Sequence, residues 1–377
     1  MELSVRLRGS RCLIMTPREG KILVFNYLTR QAALCSTDVL YWVTTLSDWQ
    51  TVKSLKRSHP HIDTASLRSE LRKLVELAIL VLDGSSEHQR ESSYENEWEW
   101  GLTTGAYHFS LLNNVFETSE AAVARQLQRQ FVDPSPRLYR VHQGGGVNLP
   151  LPGNSPVRPL LRTMLDRRSN RVAGAESISL EALSDCLFAG MAITGTVETP
   201  TGTLPLQMTP SGGARNAYEA FVMAYRVDGL SPGVYHYSAT EHSLALVSTT
   251  LPERPSALLS NQYWADDMPA IVFLIAYLER LMWKYSDPNG YRVALIEAGH
   301  KGQNIALAAA ARGLTACPTA ALQEDLVKSF LQVERMTQTP VYALCLSEPG
   351  QYDFTISSVN PAAASIYEAS EQFPSLN

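Results

Sequence analysis

At 377 residues, and roughly 150 per domain, the chain is long enough for two domains, or for one large domain with an appendage. Apolar residues are 45% and charged residues 18%, ample for a sizeable core. With 32 Lys+Arg against 37 Asp+Glu, the net charge of −5 argues against general nucleic-acid or anionic-membrane binding, because both rely on a cationic surface.

Residues 1–85 open with β-like alternation in LSVRLRG, CLIMTP and KILVFNYL, the last following a turn at Arg18–Gly20. Helical periodicity comes next. Ser36-Thr37-Asp38 reads as an N-cap before VLYWVTTL, and Ser47-Asp48 opens DWQTVKSLKR. Thr64 and Ser66 open SLRSELRKLVELAIL, in which Leu67, Leu71, Leu74, Ala78 and Val81 hold one apolar stripe. Strands, three small helices and a final strand make a winged-helix-like plan. Residues 86–155 are less regular: SSEHQRESSYENEWEW is polar and reads as a linker, and 117–131 fits a helix. The Pro- and Gly-rich stretch from Pro134 to Pro159 reads as loop. From 156 to 377, helical pieces (PLLRTMLDR, SLEALSDCLFAGM, AYEAFVMAYRV, NIALAAAARGL, EDLVKSFLQV) alternate with strands (MPAIVFLIAY, TPVYALCLS), predicting an α+β or α/β domain.

No run approaches the roughly 18 consecutive apolar residues of a membrane helix, and the N-terminus lacks the apolar core of a secretory signal. The five cysteines (Cys12, Cys35, Cys186, Cys317, Cys345) are odd in number and far apart, with no CxxC, Cys/His cluster or HExxH. Neither a disulfide framework nor a metal site is expected, and a reducing cytoplasm fits.

Five segments carry possible chemistry. Arg167-Arg168-Ser169-Asn170-Arg171 packs guanidinium donors suited to phosphate oxygens; the competing reading is a solvated helix end. Thr209-Pro210-Ser211-Gly212-Gly213-Ala214-Arg215-Asn216 precedes a predicted helix, so its backbone suits close ligand approach and its end an anion; otherwise it is an ordinary turn. Leu230–Tyr237 reads as a turn into a hairpin strand, with His236 half-buried. Lys284-Tyr285 sets two tunable proton carriers side by side, able to reach one ligand only at an element end; otherwise Lys284 is a surface lysine after a core tryptophan. Glu297-Ala298-Gly299-His300-Lys301-Gly302-Gln303-Asn304 leads into a helix whose small residues permit close packing.

In this order the segments RRSNR, TPSGGARNAYEAFV, VDGLSPGVYHY, WKYSDPNGYRVALIEAGHKGQNIALAAAARGL and TACPTAALQEDLVKSFL resemble the FMN-dependent nitroreductase family, specifically its SagB-type branch of peptide azoline dehydrogenases. The likeness covers about residues 160–335. It implies a three-layer α+β fold, helices around a mixed sheet, and a homodimer with non-covalent FMN at its interface. Arg167, Arg168, Ser169 and Arg171 would hold the phosphate and ribityl. Pro210, Ser211, Gly212, Gly213 and Asn216 would lie beside the flavin, Gln303 would face the isoalloxazine, and Cys317–Ala320 would lie nearby. Lys284 and Tyr285 match the branch's adjacent Lys-Tyr pair. Residues 1–85 resemble a precursor-peptide recognition element, and an ordinary packing appendage is the alternative. Residues 86–155 would be linker and 156–377 the FMN domain. The implied activity is oxidation of thiazolines or oxazolines to azoles on a precursor peptide, with a cyclodehydratase as a possible partner. Alternatives are an NAD(P)H-dependent reductase of the same fold, a non-catalytic peptide-binding scaffold, or an oxidase of carrier-bound or free small-molecule azolines.

Overall fold

The structure, a computed structural model, describes residues 2–113, 157–174, 176–199, 202–285, 287–351 and 361–368, with 120–121, 124–125 and 127–128. The chain divides into two compact units. One comprises Met1–Leu112, Leu278–Val293 and Glu334–Gln338; the other comprises Asn113–Tyr277, Ala294–Val333 and Thr339–Asn377.

The first unit starts with strand β1 (Arg6–Gly9) and a meander of β2 (Leu13–Arg18), β3 (Lys21–Asn26) and β4 (Gln31–Cys35). Arg18 pairs with Lys21 across a two-residue loop in which Glu19 (φ 52) and Gly20 (φ 73) are both left-handed. That is the type I′ turn whose twist matches a hairpin. Helix α1 (Asp38–Thr45), strand β5 (Gln50–Thr51), helices α2 (Val52–Ser58) and α3 (Thr64–Glu76) and strand β6 (Leu80–Leu82) follow, and β1 pairs antiparallel with both β5 and β6. The Asp63 side chain caps α3 by accepting from the Ala65 and Ser66 N–H groups. Leu67, Leu71 and Leu74 bury the predicted stripe against Leu7, Leu46, Leu55 and Leu80. The stripe stops short of its predicted length, because α3 ends at Glu76 and Ala78 turns left-handed (φ 51).

Residues 86–155, expected as a linker, begin instead with helices α4 (Ser86–Glu97) and α5 (Gly101–Leu111). The reason is a long-range polar contact that local composition cannot display. Glu91 of α4 is buried in a 2.8 Å ion pair with Arg8 of β1, and its carboxylate also accepts from Ser10 Oγ. A buried pair this far apart in sequence fixes the helix on the strand. In the 117–131 stretch, residues 120–121, 124–125 and 127–128 are helical; 129–156, with most of the predicted Pro/Gly loop, lie outside the described residues.

The second unit contains helices α6 (Arg158–Asp166) and α7 (Leu180–Met191), the hairpin β7 (Ile193–Thr199) and β8 (Gly202–Gln207), and a six-stranded sheet. The sheet order is β11-β10-β9-β12-β14-β13, from β9 (Tyr218–Ala224), β10 (Gly233–Ser238), β11 (Ser243–Ser248), β12 (Ala270–Tyr277), β13 (Thr315–Thr319) and β14 (Gln338–Ser347). Helix α8 (Asn289–Ala311), counted with the first unit up to Val293, precedes β13, and α9 (Glu324–Leu331) follows it. Pro318 sits in β13, an edge strand, where a missing N–H is tolerated.

In this unit a predicted helix is a strand. AYEAFVMAYRV, read as helical, supplies β9, paired on both sides by β10 and β12. Its Ala, Glu and Met favour helix locally, but a short apolar run buried on both faces is equally a central strand, and two ladders decide it. Phe221 and Met223 of β9 join Ile271, Phe273, Cys345 and Val327 in the core. His236 is the half-buried strand histidine expected, 3.2 Å from Glu219.

Candidate functional site

The Gly-rich segment is a loop between β8 and β9, not the approach to a helix. The dipole argument for an anion at its end therefore falls away. What remains is unusual backbone. Gly213 (φ 59), Ala214 (φ 54) and Asn216 (φ 45) are all left-handed, a region costing a non-glycine residue about 1 kcal/mol or more. Gly213 suits its position; Ala214 and Asn216 must be held there.

Helix α8 holds them with one face. Glu297, Lys301 and Asn304 follow at i, i+4 and i+7, which stacks them on a single stripe. Glu297 Oε2 accepts from Ser211 Oγ (3.0 Å) and from the Gly212 N–H (3.2 Å). Ser211 Oγ in turn accepts from the Asn216 N–H at 2.9 Å, closing the loop on itself. Lys301 Nζ donates to Gln207 Oε1 at 2.7 Å and lies 3.8 Å from Glu297 Oε1. Asn304 Nδ2 donates to Thr209 Oγ1 (3.1 Å), and Thr209 Oγ1 donates to the Gly190 carbonyl (3.2 Å). The loop N–H of Gly212 is thus already bound to a carboxylate of the chain itself. The loop is a stretch of small residues held from α8, not a ring of free N–H groups aimed at a phosphate. Gln303 points to the exposed side of α8, away from this stripe.

The arginine segment forms a second cluster at the end of α6. Its anchor is buried Asn170, whose N–H donates to Thr315 Oγ1 (3.0 Å) and whose Nδ2 donates to the Gly350 carbonyl (2.9 Å). Thr315 Oγ1 donates to the Arg168 carbonyl at 2.9 Å. Arg168 folds back onto the Leu165 and Arg167 carbonyls, completing the helix end. Arg171 lies over the Trp264 ring, 5.8 Å from its centre. Burial pushes the Cys317 thiol up and the Arg171 guanidinium opposes it; burial likewise raises Tyr342, against Arg167. Helix α10 (Pro361–Glu368) packs beside this cluster, with Tyr367 Oη donating to Asp166 (2.8 Å) and Arg162 over the Tyr367 ring.

The arginine turn fixed by Asn170 supplies guanidinium groups, the donors that suit phosphate oxygens, and the loop supplies small residues braced by α8. Sequence reasoning missed Asn170, Thr315, Thr209, Gln207, Glu297, Lys301 and Asn304 as site-builders. A Glu–Lys pair at i, i+4 inside a helix of small residues was the visible signal, since charges in a close-packed helix are there for a partner.

Lys284 and Tyr285 belong to the first unit, just after the helical turn Glu279–Met282. They stand at an element end, as the sequence requires for both to serve one ligand. Lys284 is exposed, with Nζ 5.6 Å from the Tyr285 ring centre. The Tyr285 carbonyl accepts from Trp100 Nε1 at 3.0 Å. Trp100 stands in an aromatic group with Trp98, His108 and Tyr291, and His108 Nδ1 is 2.8 Å from Tyr291 Oη. Trp283, expected in the core, is 69% exposed.

The second unit is an α+β domain built on a six-stranded sheet. The nitroreductase family model matches residues 164–348, and this part of the chain is a nitroreductase-family domain. Over 173 residues the chain is 31% identical to the trifolitoxin-processing protein TfxB of Rhizobium leguminosarum bv. trifolii, covering 44% of this chain and 46% of that protein. It is 27% identical over 192 residues to the nitroreductase candidate MJ1384 of Methanocaldococcus jannaschii, covering 51% of this chain and 92% of that one. Among solved structures it is similar to the E. coli microcin synthetase McbBCD complex with truncated pro-MccB17 bound, at 19% identity, TM-score 0.46, and coverage of 63% and 85% of the two chains. Another is a nitroreductase-type protein of Ralstonia eutropha, at 19% identity, TM-score 0.43, and coverage of 52% and 84%. Among the described residues no helix is long and apolar enough to cross a membrane.

Proposed function

We propose that the chain is an FMN-dependent dehydrogenase that oxidises thiazolines or oxazolines of a peptide to thiazoles or oxazoles, in the making of a ribosomally produced, modified peptide. The observation that carries this reading is the adjacent Lys284–Tyr285 pair at an element end. It is supported by the 31% identity to a protein named for processing trifolitoxin. An azoline ring loses a hydride from one carbon and a proton from its neighbour, leaving an aromatic azole. FMN, when bound, accepts the hydride and with it both electrons. Lys284 Nζ or Tyr285 Oη takes the proton, which needs hydrogen-bond reach to that carbon. Arg167, Arg171 and Ser169 bind phosphate and ribityl, with Arg168 fixing the helix end beneath them. Pro210–Asn216 lies along the ring system and Gln303 faces the isoalloxazine of a homodimer. Residues 1–85 take the precursor's leader as an added strand, β4 being an edge of its meander. A cyclodehydratase supplies the azoline, and the cytoplasm is the compartment.

A second reading keeps the fold and reverses the chemistry: an NAD(P)H-dependent reductase of nitro, quinone or dehydroamino-acid substrates. The match to 92% of a nitroreductase candidate favours it. The absorbance spectrum of the purified protein separates the cases. A yellow protein releasing FMN, bleached by an azoline peptide and not by NAD(P)H, is the dehydrogenase; the reverse is the reductase. A colourless protein that FMN cannot reconstitute is neither, and leaves a peptide-binding scaffold. In the dehydrogenase, Lys284→Ala and Tyr285→Phe retain flavin, and loss of the true base lowers turnover about 10²–10⁴-fold. Near-wild-type rates in both variants would refute the base assignment.

A further inference from the structure

We propose that Glu297 and Lys301 are positioning residues for the flavin-side loop, fixing its shape before FMN arrives; this rests on the flavin reading above. Both side chains are sealed from water, 1% and 0% exposed, on a helix packed by glycine and alanine. A buried ion pair brings a desolvation cost that an apolar pair of the same volume avoids. Packing therefore does not explain these charges, whereas their partners do. Lys301 holds Gln207 at the end of β8, where the loop begins. Glu297 holds Ser211 and Gly212, and through Ser211 Oγ the Asn216 N–H where the loop ends. Between these ties lie the three left-handed residues Gly213, Ala214 and Asn216. Without the carboxylate, the Ser211 hydroxyl and the Gly212 N–H lose their acceptor, and the left-handed residues are free to relax. A loop that must then be reordered by its ligand binds that ligand more weakly.

The test compares two double variants by FMN titration of the apoprotein, followed by flavin fluorescence, with thermal unfolding read in parallel. Glu297→Gln/Lys301→Met removes the charges but leaves a carbonyl oxygen to accept from Ser211 and Gly212. Glu297→Leu/Lys301→Met removes the charges and the acceptor together. Both remove the pair as a unit, so neither leaves a lone buried charge; the Gln variant melts close to wild type, and the Leu variant melts lower by what the orphaned Ser211 and Gly212 donors cost. The Gln variant, which keeps the Glu297-side ties and loses only that of Lys301 to Gln207, binds FMN about 3–10-fold more weakly than wild type, and the Leu variant, which loses both, about 10–100-fold more weakly. Wild-type FMN affinity in both variants overturns the positioning role, and equal weakening in both overturns the part given to the Glu297 acceptor. If the Leu variant does not fold, Ser211→Ala carries the test with a readout that needs no flavin, limited proteolysis of the apoprotein within residues 207–216: wild-type cleavage there overturns the role, and faster cleavage at an unchanged melting temperature, with weaker FMN binding, supports it. Wild-type protein that takes up no FMN refutes the flavin reading itself, a different outcome from wild-type uptake with an indifferent Leu variant.

Discussion

The same substitution at two helical glycines of the second unit has opposite effects. A Cβ on Gly190 of α7 would stand 2.5 Å from Ile305 Cγ1, 2.9 Å from Ile305 Cδ1 and 3.0 Å from the Lys301 carbonyl oxygen. Ile305 is fully buried, and the carbonyl belongs to the helix backbone, so neither can swing aside. Overpacking a closed site costs about 1–3 kcal/mol, and an immovable carbonyl argues for the upper half. Gly→Ala returns at most about 1 kcal/mol of helix propensity. Gly190→Ala thus destabilises by about 1–2 kcal/mol, lowering the melting temperature by roughly 2–8 °C for a unit of this size. At Gly299 of α8 nothing lies within 4 Å of the added Cβ. Only the propensity change remains, and Gly299→Ala raises the melting temperature by roughly 2–4 °C. Thermal unfolding followed by far-UV circular dichroism measures both. Shifts of one sign in the two variants would refute the packing of α7 on α8. Because the Gly190 carbonyl also accepts from Thr209 at the head of the loop, Gly190→Ala should disturb that end of the site as well.

Three further outcomes follow, one from the first unit and two from buried thiols and a buried phenol. A Cβ on Gly290 meets Trp100 Cζ2 at 2.6 Å, so Gly290→Ala displaces the indole that donates to the Tyr285 carbonyl, at about 1–3 kcal/mol; an unchanged near-UV circular dichroism spectrum and melting point would contradict this. Burial pushes the thiols of Cys12 and Cys186, and the phenol of Tyr237, up to about 12. These groups ionise earlier in the unfolded chain than in the folded one, so their contribution is complete below their ordinary values near 9 to 10 and is lost toward pH 12. Urea midpoints should fall from pH 8 to pH 10.5, and a midpoint that rises over that window would sink the argument. The same protonated thiols should resist iodoacetamide until the protein is unfolded.

Local signals were legible wherever one element could be judged by itself. The Leu67, Leu71 and Leu74 part of the stripe of α3 and the strands at Gly233–Ser238, Ala270–Tyr277 and Gln338–Ser347 stand where periodicity, a turn into alternation, or a short apolar run placed them. Signals failed where the deciding partner is remote. AYEAFVMAYRV has helix-forming residues, and only the flanking β10 and β12 make it a strand. SSEHQRESSYENEWEW is polar enough for a linker; its one buried side chain over Ser86–Glu97, Glu91, is inside only because Arg8 is there to pair with it.

The site divides in the same way. The residues proposed to meet the flavin, the arginines of 167–171 and the small residues of 210–216, announce themselves in the sequence by type, as donors and as small residues. Residues that shape those segments do not. Asn170 was read as one letter of a motif, yet it is the residue that joins the arginine turn to Thr315 and Gly350. Glu297 and Lys301 were read as part of a small-residue core helix, yet they bind both ends of the loop. A left-handed Ala214 and Asn216 cannot be seen in a sequence, because neither residue type demands that conformation. Strain of this kind persists only where the surroundings over-determine it. The buried carboxylate and ammonium of α8 are those surroundings, so the features least legible in the sequence are the ones that give the legible loop its shape.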